Sequence, residues 1–266
     1  MYEMKKTKIV ATLSDRRCTE AFVRQLHDAG MDVVRINSAH VTVEGAEHIV
    51  RTVHAVDPAI AIMIDTKGPE IRVTAVDASY GDGIRFAAGD RVAVRGSSGG
   101  DATTRGTIYL NVPAIVRDIA VGARLLVADG ELELEVTGRS DAELECRFVT
   151  GGVLRSRKSV NVPGVAIDLP SVTERDRRFI EWAVCSDVDF VAHSFVRSAR
   201  DVAAVQELLD ACGSPMKIIS KIENREGLEH LDEIVEASYG IMVARGDLGV
   251  ELPAEAIPGA QRRIVE

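Results

Sequence analysis

Over the first seventy residues, short unbroken apolar runs alternate with stretches of helical periodicity. Residues 8–13, 32–37 and 59–66 are runs of strand length, and the third stays apolar up to Asp65. Between them, residues 19–29 place Ala21, Phe22, Leu26 and Ala29 on one helical face, with Gly30 suited to the position after a helix end. Residues 42–56 do the same with Val43, Ala46, Ile49, Val50 and Val53, and Asp57-Pro58 stops that helix. Continuous apolar strands separated by amphipathic helices predict a parallel sheet buried on both faces.

The rhythm breaks between about Thr74 and Gly164. This stretch shows no helical pattern and holds 13 of the 22 glycines. Gly89-Asp90 and Asp129-Gly130 are turn signals among β-rich runs at 91–94, 124–127 and 132–136. An inserted all-β domain, a small barrel, is predicted. It leaves and re-enters its parent at one point, which makes it a candidate lid on a hinge.

The βα alternation resumes at Leu169. Helices are predicted at 173–185, 199–211 and 225–237, strands at 190–194, 217–223 and 240–244, and a last helix from Pro253. Thr173 and Asp176 suit the cap and first turn of theirs. No G-x-G-x-x-G follows the first strand, which argues against a dinucleotide fold. The expected fold class is α/β: a (β/α)8 TIM-type barrel, incomplete at about six βα units, formed by residues 1–73 and 165–266, with the β-barrel lid inserted at 74–164. The barrel part has about 175 residues against roughly 250 for a complete one, so two βα units are expected to be missing.

Composition adds exclusions. With 46% hydrophobic and 27% charged residues, the chain is neither disordered nor a repeat. A formal charge of −9 and 4% aromatics argue against a nucleic-acid partner. Cys18, Cys146, Cys185 and Cys212 form no C-x-x-C pair, as expected of free thiols in a reducing cytosol. No apolar segment follows the N-terminal lysines, and no run approaches about 18 residues. A cytoplasmic location with no membrane partner is expected.

Polar residues at the carboxyl ends of barrel strands read as functional. Four strands end that way: at Arg35-Ile36-Asn37, at Asp65 through Arg72, at Lys221-Ile222-Glu223, and at Arg245-Gly246-Asp247. Lys221 and Glu223 are two apart and share a side, and Asp247 ends the next strand. Two carboxylates with open positions suit Mg²⁺ or Mn²⁺, and the lack of a His/Cys set argues against zinc. Arg35, Arg72 and Lys221 are expected to make the mouth cationic, which fits phosphoryl groups. Asn37, Asp65 and Thr66 supply oxygens for a second cation.

These segments resemble the pyruvate kinases. Thr7 to Thr12 is similar to that family's opening strand, residues 65–72 to its DTKGPEIR, 219–224 to its ISKIEN, 241–249 to its IMVARGDLG, and 161–164 to its lid-to-barrel junction. The resemblance implies transfer of a phosphoryl group from phosphoenolpyruvate to ADP, giving pyruvate and ATP in glycolysis. It implies that Lys221 neutralises the phosphoryl group, Arg35 holds the phosphate, and Glu223 and Asp247 hold Mg²⁺. The backbone at Gly246 and Asp247 would meet the substrate carboxylate. Asn37, His40, Arg72 and, from the lid, Lys158 would contact the nucleotide. Asn37, Asp65 and Thr66 would hold K⁺. Ala39 stands where the family's K⁺-binding serine usually lies, and Ser38 beside it should face the other way. Glu70 fits the K⁺-dependent branch, so K⁺ is expected to assist. The full-length form is expected to be a homotetramer and this chain alone to be inactive. Two alternatives stand beside this reading: a metal-dependent aldolase or lyase on a phosphoenolpyruvate/pyruvate-type barrel, and an inactive truncated fragment. Asp129 reads equally as a lid residue or a hairpin turn, Lys158 as a nucleotide contact or part of a solvated basic face. His193 reads as a hydrogen-bonded core or rim histidine, and Glu251 as a surface residue.

Overall fold

The computed structural model describes residues 6–165 and 167–266. The first βα units are β1 (Val10–Leu13), α1 (Glu20–Asp28), β2 (Val33–Asn37), α2 (Val43–Val56) and β3 (Ala61–Asp65). Thr19 and Thr42 start the two helices by accepting the Phe22 and Gly45 amides. Gly30, at φ 101°, turns the chain out of α1 into β2.

The insert follows: β4 (Ile84–Phe86), β5 (Arg91–Gly96), β6 (Thr107–Leu110), α3 (Ile115–Asp118), β7 (Arg124–Val127), β8 (Leu132–Arg139), β9 (Leu144–Thr150), β10 (Gly152–Leu154) and β11 (Val160–Asn161). The short helix α3 corrects the expectation of a helix-free insert; one turn is too short to leave a period in the sequence. The chain then continues with α4 (Glu174–Val184), β12 (Phe190–His193), α5 (Ala199–Ala211), β13 (Lys217–Ile222), α6 (Arg225–Glu229), α7 (Leu231–Ala237), β14 (Gly240–Val243), α8 (Arg245–Glu251) and α9 (Ile257–Val265). The single helix expected at 225–237 is two, broken at His230, whose φ and ψ are −98° and 20°. Leu228, Leu231 and Ile234 are buried on both sides of the break, so the apolar period runs through it.

Strands β1-β2-β3-β12-β13-β14 form one parallel sheet in that order, six units of a (β/α)8-type barrel. The register aligns Asn37 with Asp65, Asp65 with Ala192, and Ala192 with Ile219. Side chains alternate along a strand, so Arg35, Asn37, Asp65, Ser194, Lys221 and Glu223 all fall on one face. The other face packs Val34, Ile36, Ile62, Ile64, Val191 and Ile218 into a core with Ile49, Val53, Phe179, Ile180, Val205 and Leu209 from the helices. A buried helix layer on one face thus leaves the polar strand ends together on the other.

The insert has its own core. Its six strands order as β11-β7-β8-β9-β5-β6, all antiparallel except β5 with β6, and β10 pairs with β4. Phe86 stacks on Phe148 with ring centroids 4.2 Å apart. Ile71 and Val73 on the way in, and Val160 and Val162 on the way out, belong to this second core.

Candidate active site

Lys221 sits at the centre of the polar face. Its ammonium lies 3.1 Å from Asp65 Oδ1 and 2.8 Å from Glu223 Oε1, and donates to Ser194 Oγ at 2.8 Å. Asp65 accepts on its other oxygen from Arg35 Nε at 2.5 Å, and Arg35 Nη1 reaches Thr12 Oγ1 at 2.9 Å. Glu223 Oε2 accepts the Phe195 amide at 2.7 Å; Oε1 pairs with Lys221 by charge, outside hydrogen-bond alignment. Burial alone would lower the Lys221 ammonium, but Glu223 and Asp65 outweigh it and hold it above its ordinary value. Lys221 is therefore a charged group. Burial pushes Glu223 up, and Asp247 adds to this, against the pull of Lys221.

A cleft of about 280 Å³ opens beside this network, between the insert and the sheet's carboxyl end. Glu223 belongs to both the cleft and the network. Asp247, Glu70, Asp129, Ser159 and Asn161 line the same cleft. Seven carboxylates line it, adding Glu226, Glu229 and Glu251, against Arg197 and Arg225. The expected cationic mouth is thus corrected. Each of its three cations is neutralised locally: Arg35 by Asp65, Lys221 by Asp65 and Glu223, and Arg72 by Glu70. Among the described residues no group of three or more His, Cys, Asp or Glu forms a metal cage.

Gly246 and Asp247 lie exposed in the first turn of α8, where backbone amides have no partner within the helix. A Cβ on Gly246 would meet nothing within 4 Å, so the space beside that residue is open. Asp129 has a φ of 56° in the turn between β7 and β8, and accepts from Ser159 Oγ at 3.0 Å. Both expectations for it hold together: it is a turn residue and it faces the cleft.

The remaining expected residues lie around the network. Asn37 Oδ1 accepts the Ala39 amide at 2.9 Å, and His40 is exposed beyond it. Thr66 is buried, its Oγ1 accepting the Ser194 amide at 3.0 Å and its carbonyl accepting Ser194 Oγ at 2.6 Å. Ser38 is fully buried and its Oγ has no partner, while Ala39 is half-buried. Glu70 bonds Arg72 twice, at 2.8 and 2.9 Å, and Lys67 Nζ at 2.8 Å; Arg72 Nη1 donates to the Arg157 carbonyl at 2.7 Å. Lys158 is half-buried in the connection between β10 and β11, outside the cleft lining, and its carbonyl accepts the Val73 amide at 2.9 Å.

Two expectations are overturned. Glu251 is half-buried in the cleft wall, where burial raises its carboxyl. His193 is buried with no partner on either ring nitrogen, where a hydrogen-bonded histidine was expected. Ser194 was missed altogether. It sits one residue past an apolar strand, the same signal that marked the other four strand ends.

Comparison with known proteins settles what this arrangement belongs to. Residues 4–266 match the family model described as pyruvate kinase, barrel domain. The chain belongs to the pyruvate kinase family. It is 45% identical over 263 residues to the pyruvate kinase of Borreliella burgdorferi, covering 98% of this chain and 54% of that protein. It is 40% identical to the pyruvate kinases of Geobacillus stearothermophilus and Thermoplasma acidophilum, covering 98% of this chain and 45% of each. The chain spans about half the length of the curated relatives it matches. Among the described residues no helix is long and apolar enough to cross a membrane.

Proposed function

We propose that this chain contributes the phosphoryl-transfer site of a pyruvate kinase, moving a phosphoryl group from the enol oxygen of phosphoenolpyruvate to the terminal phosphate of ADP. The observation that carries the reading is Lys221: a buried ammonium, held charged by Asp65 and Glu223, at the edge of a cleft that Glu223 shares with Asp247. A fixed positive charge beside a transferring phosphoryl group stabilises it without reorganising at the moment of reaction. Arg35, oriented by Asp65, binds the phosphate. The first-turn amides of Gly246 and Asp247, which have no partner within the helix, receive the substrate carboxylate.

The acidic cleft fits a divalent cation. Asp247 adds to the cost of ionising Glu223, which a cation relieves, and Mg²⁺ or Mn²⁺ takes one or two carboxylates and fills the rest with water and phosphate oxygens. When bound, it supplies charge neutralisation for the anionic substrates in a site that otherwise repels them. Asn37, Asp65 and Thr66 lie together at adjacent strand ends and are assigned to K⁺. Asn37, His40, Arg72 and Lys158 are assigned to the nucleotide. Residues 74–164 act as the lid on a barrel domain of 1–73 and 165–266, and its closure excludes water that would hydrolyse the phosphoryl group. The homotetramer and the cytoplasmic location belong to this reading through the family resemblance.

The test is pyruvate formation from phosphoenolpyruvate and ADP by a full-length enzyme that carries this chain, followed with lactate dehydrogenase, with and without Mg²⁺ and K⁺. Lys221→Ala is expected to lower kcat about a hundredfold or more, with a much smaller change in KM. An unchanged kcat removes the role given to Lys221, and equal turnover without K⁺ removes that cation from the site.

A further inference from the structure

Three arginines open α4, and they go different ways. Arg177 and Arg178 are exposed, but Arg175 is half-buried and crosses to the loop after β2. Its Nε and Nη2 donate to the Ser38 carbonyl at 3.1 and 2.5 Å, and Nη2 also donates to the Val41 carbonyl at 2.9 Å. The Phe179 ring, one turn further along α4, lies 5.2 Å from the guanidinium carbon and backs it from below. Ser38 and Val41 are both buried, and their carbonyls bracket Ala39 and His40. Inside that bracket the Ala39 amide bonds Asn37 Oδ1 at 2.9 Å and the His40 amide bonds the Asn37 carbonyl at 3.1 Å. One side chain from a helix 137 positions away thus holds both ends of a tight turn.

We propose that Arg175 is a positioning residue, which holds residues 37–42 in the conformation that presents Asn37 and His40 to the nucleotide. This rests on the nucleotide assignment made above for those two residues. An arginine suits the task because one planar fork serves two carbonyls in fixed directions, where a lysine offers a single flexible point charge. Without a donor, two buried carbonyls favour turning the loop toward water. The next residue, Asp176, does the same for the loop after β3, accepting the Lys67 and Gly68 amides at 2.8 and 3.3 Å. The first turn of α4 therefore faces both loops.

Arg175→Met keeps the stem over Phe179 and deletes the fork; Arg175→Lys keeps the charge. Calorimetric titration with ADP and Mg²⁺ is expected to show affinity about tenfold weaker for Arg175→Met and an intermediate loss for Arg175→Lys, with phosphoenolpyruvate affinity within about twofold of the unsubstituted protein. Hydrogen exchange at the Ala39 and His40 amides should accelerate in Arg175→Met, with the α2 amides unaffected. Unchanged ADP affinity in both variants overturns the inference, whether or not the loop exchanges faster, and so does equal weakening toward both ligands. Absence of turnover in a full-length enzyme that carries this chain counts against the proposed function instead, because the ADP titration compares the variants without needing catalysis.

Discussion

The two faces of the parallel sheet treat buried polar groups in opposite ways. On the inner face, Lys221 is 8% exposed and surrounded by Asp65, Glu223 and Ser194. On the outer face, His193 is 1% exposed and has no hydrogen-bond partner. Burial is similar, so partners decide the charge. Lys221 is held ionised, whereas burial pushes the His193 imidazole down to about 4. Asp201 and Asp176, at the starts of the two helices that cover His193, pull the other way without prevailing. A complete network keeps a charge in the interior; a lone polar group there stays neutral.

Removing the hub of the inner network should have the largest effect. Asp65 is shared by Arg35 and Lys221, so Asp65→Ala leaves two cations without their common carboxylate. A loss of about 3–5 kcal/mol in urea unfolding is expected. A loss below about 1 kcal/mol would mean that the inner face does not depend on closed pairing. The outer face gives the next largest effect, and it depends on pH. The folded chain keeps His193 neutral until about pH 4, while the unfolded chain protonates it near its ordinary value of 6.5. The unfolded state therefore binds the extra proton first, so this contribution is intact above 6.5 and drains away as pH falls toward 4. At about 1.4 kcal/mol per unit, His193→Leu should lose roughly 2 kcal/mol less than the parent between pH 7 and pH 5. Identical acid sensitivity in the two proteins would place the histidine in a wetter site than its burial indicates.

The difference between the faces also explains what the sequence disclosed. Strand ends were legible because an apolar run must stop where the barrel's carboxyl rim begins, so Arg35, Asp65, Lys221 and Glu223 stood out against Ile36, Ile64 and Ile222. The pairing of those groups was not legible. Nothing in the spacing says that Asp65 joins Arg35 to Lys221, because those contacts span 30 and 156 positions. The acidic character of the cleft was hidden for the same reason: formal charges at one rim do not reveal which of them cancel. His193 was misjudged because a sequence shows a histidine on a strand but not that its buried ring finds no hydrogen-bond partner. The break at His230 left no trace, since no proline marks it and the apolar period continues across it.

Smaller effects separate a buried member of the network from a half-exposed one. Ser194 accepts from Lys221 and donates to the Thr66 carbonyl, both inside the core. Ser194→Ala should cost about 1–2 kcal/mol in urea unfolding and reduce turnover, by loosening the ammonium. Glu70 is the contrasting case. Burial would raise its carboxyl, but Arg72 and Lys67 outweigh it and hold the group below the usual carboxylate range. Its stabilisation is thus present above that range and lost as pH falls through the depressed value. Because Arg72 is about a third exposed, with its side chain at 36%, water and salt weaken the pair. Glu70→Gln should cost less than about 1 kcal/mol at neutral pH, and the difference from the parent should shrink when salt is raised from 0.05 to 0.5 M, an order-of-magnitude change in ionic strength. A salt-independent cost larger than that of Ser194→Ala would mean that the neck of the insert is as dry as the inner face, and the contrast between buried and half-exposed pairing would not hold there.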